Sequence, residues 1–192
     1  MPICKLNHIK DAISGGQRLL GLDIGKKTIG LALSDKSLTI ASPVEILYRN
    51  KFTPDVHSIF ELVDQEEVGA MVLGWPANMD GSVGPRCDSV RDFAHAMMRI
   101  RDIPVVFQDE RLSTQAVESA MVEADMTRAK RAQRRDALAA VWILQSALDR
   151  LHDDQIKLSL LLGQKCKAKL EWLMGQLLMC KLCVLALFTL YR

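Results

Sequence analysis

Two apolar runs, residues 18–24 and 29–34, are separated only by Gly25-Lys26-Lys27-Thr28, and a carboxylate, Asp23, stands inside the first of them. Short apolar runs joined by so brief a glycine-containing link predict a β-hairpin. A third strand is predicted over 38–46, where Pro43 implies an irregular or edge position. Val56, Ile59, Phe60 and Val63 then follow helical spacing, and Ala70 to Gly74 reads as a short buried strand. A second helix should turn Val90, Phe93, Ala94 and Met97 inward, before a strand from Ile103 to Phe107. Ser113 or Thr114 can cap a third helix, and a last helix runs from about Asp136 to Leu151. That last helix is apolar on more than one face and is expected to pack deeply. The order predicts an α/β fold in which three antiparallel strands continue into parallel strands, giving a mixed sheet with helices on both faces.

The 192 residues allow one domain with an appendage. Residues 1–17 read as an N-terminal extension ending in a Gly15-Gly16 joint, 18–152 as the domain, and 153–192 as a C-terminal extension. A net charge of +2 does not indicate bulk attraction to polyanions. Six of the basic side chains lie in residues 153–192 against three acids, so the domain itself is slightly acidic and must bind any nucleic acid through local patches. Five scattered cysteines, with one CxxC at Cys180–Cys183 and no histidine cluster, read as reduced thiols rather than a zinc site. Lys5, His8, Lys10 and Asp11 interrupt any signal-like apolar run, and the chain is expected to be cytoplasmic. Leu173–Arg192 is apolar, but Lys181 falls near its centre, so a membrane anchor is not the expected role of the tail.

Three acids stand where strands or helices end: Asp23, Glu110 in Asp109-Glu110-Arg111, and Asp136 after Arg134-Arg135. Carboxylates are costly to bury, and Asp23, between Leu22 and Ile24, is the hardest of the three to explain as ordinary structure. Asp136 could serve a helix dipole and Asp109-Glu110 a solvated strand end. Brought together, such carboxylates suit a hard divalent cation and metal-assisted phosphodiester hydrolysis. Ligands in open α/β sheets gather at the carboxyl ends of strands, which is where Asp23 and Glu110 are expected.

Four stretches in order carry a resemblance. Leu20-Gly21-Leu22-Asp23-Ile24-Gly25-Lys26-Lys27-Thr28-Ile29-Gly30 looks like the opening strand of the YqgF/RuvX family. Gly74-Trp75-Pro76-Ala77-Asn78-Met79-Asp80-Gly81 resembles that family's G-x-P-x-N-M-D-G loop, Asp109-Glu110-Arg111-Leu112-Ser113 its D-E-R-L-S/T signature, and Asp136-Ala137-Leu138-Ala139-Ala140 its final helix. The resemblance spans residues 18–151 and implies an RNase H-like fold. It further implies that Asp23, Glu110 and Asp136 bind Mg²⁺ or Mn²⁺, and that the chain is an endo- or exonuclease maturing the 5′ end of precursor 16S rRNA. A Holliday junction resolvase acting on branched DNA and a non-catalytic nucleic-acid-binding module are the alternatives.

Candidate contacts to a phosphate backbone are Lys26 and Lys27 in the hairpin turn, Arg86, Arg111, and the basic run Arg128, Arg131, Arg134 and Arg135. Each has an ordinary reading as a solvated or ion-paired side chain. Asp80 could add a fourth ligand, although a turn-stabilising role suits it better. A junction-cutting enzyme would favour a homodimer, whereas RNA processing could use a monomer. An actin-like ATPase also opens on D-x-G-x-x-x-x-G, but it needs a second glycine-rich nucleotide loop that is missing here.

Overall fold

The computed structural model describes residues 3–78, 80–109 and 137–154. The chain divides into two compact units, Met1–Leu151 and His152–Arg192, and the first holds the sheet. Its five strands are β1 (Arg18–Ile24), β2 (Thr28–Ser34), β3 (Ala41–Tyr48), β4 (Val68–Trp75) and β5 (Val105–Asp109), in the spatial order β3-β2-β1-β4-β5. β1 pairs antiparallel with β2 and β2 antiparallel with β3, whereas β1–β4 and β4–β5 are parallel. This is the mixed sheet, antiparallel strands continuing into parallel ones, that the order of elements predicts. Pro43 does lie on an edge strand, beside a register shift in the β2–β3 pairing.

Central β1 is apolar on both faces because helices cover both. Short α1 (Ile9–Ala12) precedes the sheet, and α2 (Phe52–Gln65) and α3 (Pro85–Ile100) return the chain between strands. Leu20, Leu22 and Ile24 meet Val56 and Ile59 of α2 and Phe93 and Met97 of α3. The opposite face is built from smaller side chains, Ala32, Ala41, Ala70 and Val72, and receives α4 (residues 137–154) through Ala140, Ile143, Leu144 and Ala147. A Cβ on Gly21 would stand 2.8 Å from the Leu144 Cβ and 3.1 Å from the Ala140 carbonyl oxygen, so only glycine admits the helix at this distance. Gln145 fastens the same helix to the edge of the sheet, accepting from the Ala41 amide at 2.9 Å and donating to the Thr39 carbonyl at 3.0 Å.

Three features depart from the sequence reading. Residues before 18 contribute to the core: Ile9 is fully buried with α4, and the Cys4 amide donates to the Val105 carbonyl at 2.9 Å. The strands extend beyond or shift from the predicted limits, because backbone pairing continues after the apolar pattern stops. α4 packs deeply along one stripe only, and Trp142 remains 41% exposed. The predicted helix after Ser113 lies outside the described residues.

Gly21→Ala should cost about 1–3 kcal/mol, because the obstructing atoms are a helix Cβ and a backbone carbonyl that cannot swing aside. Denaturant unfolding with an unchanged midpoint would refute the close-approach account. A second expectation concerns Asp35, which closes the β2–β3 loop. Its carboxyl is lowered from 3.8 to about 2, first by the Ser37 hydroxyl and then by the amides of Ile40 and Thr39. A folded value below the unfolded one stabilises fully above about pH 4 and is lost as pH falls toward 2. Melting temperatures of wild type and Asp35→Ala should therefore differ at pH 7 and converge over that interval.

Candidate active site

The carboxyl ends of parallel β1, β4 and β5 form one rim of the sheet. Leu22 and Ile24 point to the α2/α3 face, so by strand alternation the half-buried Asp23 points to the face that α4 covers. Its partner across β2 is Gly30. On the other side, Gly74 follows Leu73, the partner of Leu22, and stands opposite Gln108 of β5. The row therefore reads Gly30, Asp23, Gly74, Gln108, with a side chain absent on either flank of the carboxylate. Gln108 is 5% exposed and its Oε1 accepts from Arg150 Nη1 of α4 at 3.2 Å. One residue on, exposed Asp109 ends β5 opposite Trp75. Two strand spacings, roughly 10 Å, separate β1 from β5.

The β1–β2 turn borders the same rim. The Gly25 amide donates to the Thr28 carbonyl at 2.9 Å, and a Cβ on Gly25 would lie 2.8 Å from that oxygen, so the turn requires glycine. Arg49, just past β3, donates from Nη1 to the Gly25 carbonyl at 2.8 Å and from its backbone amide to the Lys27 carbonyl at 2.9 Å. Its guanidinium lies 5.7 Å from the Phe93 ring centroid. Lys26 and Lys27 are exposed in the turn, and Arg86 is exposed in the first turn of α3.

The loop from Pro76 to Gly84 reaches α3 at this end. Asp80 Oδ1 accepts from the Ser82 amide at 2.9 Å and from the Ser82 hydroxyl at 2.7 Å, and these bonds hold its carboxyl below the usual range. Asp80 thus closes a turn, and Asn78 Nδ2 donates to the same hydroxyl at 2.8 Å. Glu110, Arg111, Arg128, Arg131, Arg134, Arg135 and Asp136 lie outside the described residues. Among the described residues, no three His, Cys, Asp or Glu side chains group together as a metal site. The candidate donors are all carboxylates, a chemistry that fits a hard divalent ion.

Arg49, Gln108 and Arg150 did not emerge from sequence. Gln108 could have been found, since a glutamine two residues after inward Val106 breaks the apolar alternation of β5. Arg49 and Arg150 left no local sign, because their partners are distant in the chain.

A mixed sheet with a carboxylate on the central strand, near the carboxyl ends of its parallel strands, defines an α/β protein with a candidate site at that rim. The sequence matches the family described as "RuvX: Holliday junction resolvase" over residues 17–150, and the chain belongs to the RuvX family. It is 52% identical over 152 residues to a Rhodospirillum rubrum protein named "Putative pre-16S rRNA nuclease", covering 79% of this chain and 94% of that one. A Paramagnetospirillum magneticum protein of the same name is 52% identical over 149 residues, covering 78% of this chain and 96% of its own. Among solved structures, Thermus thermophilus RuvC in complex with a Holliday junction substrate has a TM-score of 0.47 at 14% identity, over 71% of this chain and 96% of that chain.

Arg150→Met alone should destabilise by about 1–3 kcal/mol, because it strands a buried amide oxygen, whereas adding Gln108→Leu should recover part of that loss. A double-mutant cycle with no coupling would show that the 3.2 Å contact carries nothing.

Proposed function

We propose that this chain is a divalent-metal nuclease that hydrolyses phosphodiester bonds of precursor 16S rRNA, with Asp23, Glu110 and Asp136 as the ligand set. The observation that carries the reading is the setting of Asp23: a half-buried carboxylate on the stiffest strand, flanked by Gly30 and Gly74 and facing α4. Glu110 is one peptide bond beyond Asp109 at the rim, and Asp136 is one peptide bond before the first described residue of α4. The names of the relatives support the substrate, and their near-complete coverage supports extending it to the whole domain.

Bound Mg²⁺ or Mn²⁺ would supply Lewis acidity at the scissile phosphate and lower the pKa of an attacking water. The chain's own part would be to hold the carboxylate oxygens of Asp23, Glu110 and Asp136 at fixed angles about the ion. Gln108, tied to Arg150, keeps the buried end of β5 satisfied up to Asp109, the residue before Glu110. Lys26, Lys27 and Arg86, together with Arg111, Arg128, Arg131, Arg134 and Arg135, would contact phosphates without reading bases. Such a task places the protein in the cytoplasm, and trimming one RNA end needs no second copy.

The family description favours a second reading, cleavage of branched DNA, for which twofold substrate symmetry calls for a homodimer. Both are tested by offering labelled precursor rRNA and a four-way DNA junction to wild type and Asp23→Asn, with Mn²⁺ or with EDTA. The expected outcome is metal-dependent cutting of the RNA, lowered at least a hundredfold in Asp23→Asn while its melting temperature stays near wild type. Full activity in that variant would remove the three-acid site. Cutting of the junction alone would select the second reading, and binding without cutting of either substrate would select the non-catalytic module.

A further inference from the structure

We infer that Arg49 is a positioning residue that aims the Lys26 backbone amide at a substrate phosphate beside Asp23; the inference rests on the nuclease reading above. Arg49 reaches the turn from the α3 side of the sheet, since its guanidinium lies 5.7 Å from the centroid of Phe93, a core residue of that face. Its Nη1 takes the Gly25 carbonyl at 2.8 Å, drawing that oxygen toward the α3 side. Every described peptide bond is trans, and in a trans peptide the N–H points opposite to the C=O. The Lys26 N–H, which shares a peptide with the Gly25 carbonyl, is therefore directed to the other side of the turn. That is the side to which Asp23 points.

Two further bonds stop this peptide from flipping. The Arg49 amide holds the Lys27 carbonyl at 2.9 Å, and the Gly25 amide holds the Thr28 carbonyl at 2.9 Å. A flip would turn a carbonyl oxygen toward the phosphate and break the charge-assisted bond to Arg49. A fixed N–H beside a carboxylate site is worth having for an anionic backbone, because the donor needs no reorganisation when the phosphodiester arrives. Exposed Lys26 and Lys27 side chains add charge to the same turn, and their contribution is separable from that of the amide because it is screened by salt.

The experiment measures binding of a fluorescein-labelled RNA duplex with a single-stranded extension, by anisotropy in EDTA over a range of salt. The proteins are wild type, Lys26→Ala, Arg49→Gln and Arg49→Ala, with Arg49→Lys as substitute if the glutamine variant melts early. Arg49→Gln should bind roughly five- to tenfold more weakly at every salt concentration with an unchanged salt slope, because an oriented hydrogen bond is lost and no ion contact is. Lys26→Ala should instead lower the slope by about one. Added guanidinium ion should partly restore binding by Arg49→Ala. If Arg49→Gln binds as wild type does, the positioning role is wrong. If its slope also falls by about one, Arg49 contacts phosphate itself and the inference is overturned. Absence of binding by the wild type would overturn this inference, because the turn would then hold no phosphate, while the nuclease reading stands or falls on the cleavage test above.

Discussion

The contact of α4 with Gly21 is the constraint on which the rest of the fold depends. A helix can lie on a sheet at this distance only where the sheet presents little bulk, and β1 offers a glycine where Leu144 and the Ala140 carbonyl descend. The neighbouring positions, Ala32, Ala41 and Ala70, keep the same face low. The other face does the opposite, filling the space under α2 and α3 with leucine and isoleucine. This asymmetry places the carboxylate of Asp23 beneath a helix, since it shares the low face with Gly21.

Rigidity at the rim comes from groups that are individually modest. Arg49 ties the hairpin turn, Arg150 satisfies Gln108, and Ser82 satisfies Asp80. None of these side chains is itself a strong candidate for chemistry. Each removes a freedom from a segment of the rim: the turn after Asp23, the end of β5, and the loop before α3. Precision of a fraction of an ångström at a reacting phosphate needs that kind of support.

The sheet was legible because its signals are local. The hairpin followed from two apolar runs and a glycine turn, and the inward faces of α2 and α3 followed from helical spacing. Val56, Ile59, Val90 and Met97 are buried, as that spacing requires. Asp23 stood out because a charged residue interrupts an otherwise apolar strand. What sequence could not give were pairings across long separations. Arg49 and Gly25 are 24 residues apart, Arg150 and Gln108 are 42, and Gln145 and Ala41 are 104. No period in the chain marks such partners, and the burial of Ile9 was missed for the same reason.

That last separation bears on how the protein is made. β1 leaves the ribosome long before α4, and Leu144 and the Ala140 carbonyl, which lie on Gly21, arrive only with residues 137–151. A nascent chain can close the antiparallel hairpins early, then add β4 and β5, all before α4 has been made. The carboxylate cluster proposed here would be completed only by the last segment of the domain. On that proposal, a stalled or truncated chain that ends before α4 would lack Asp136, and with it a complete ligand set.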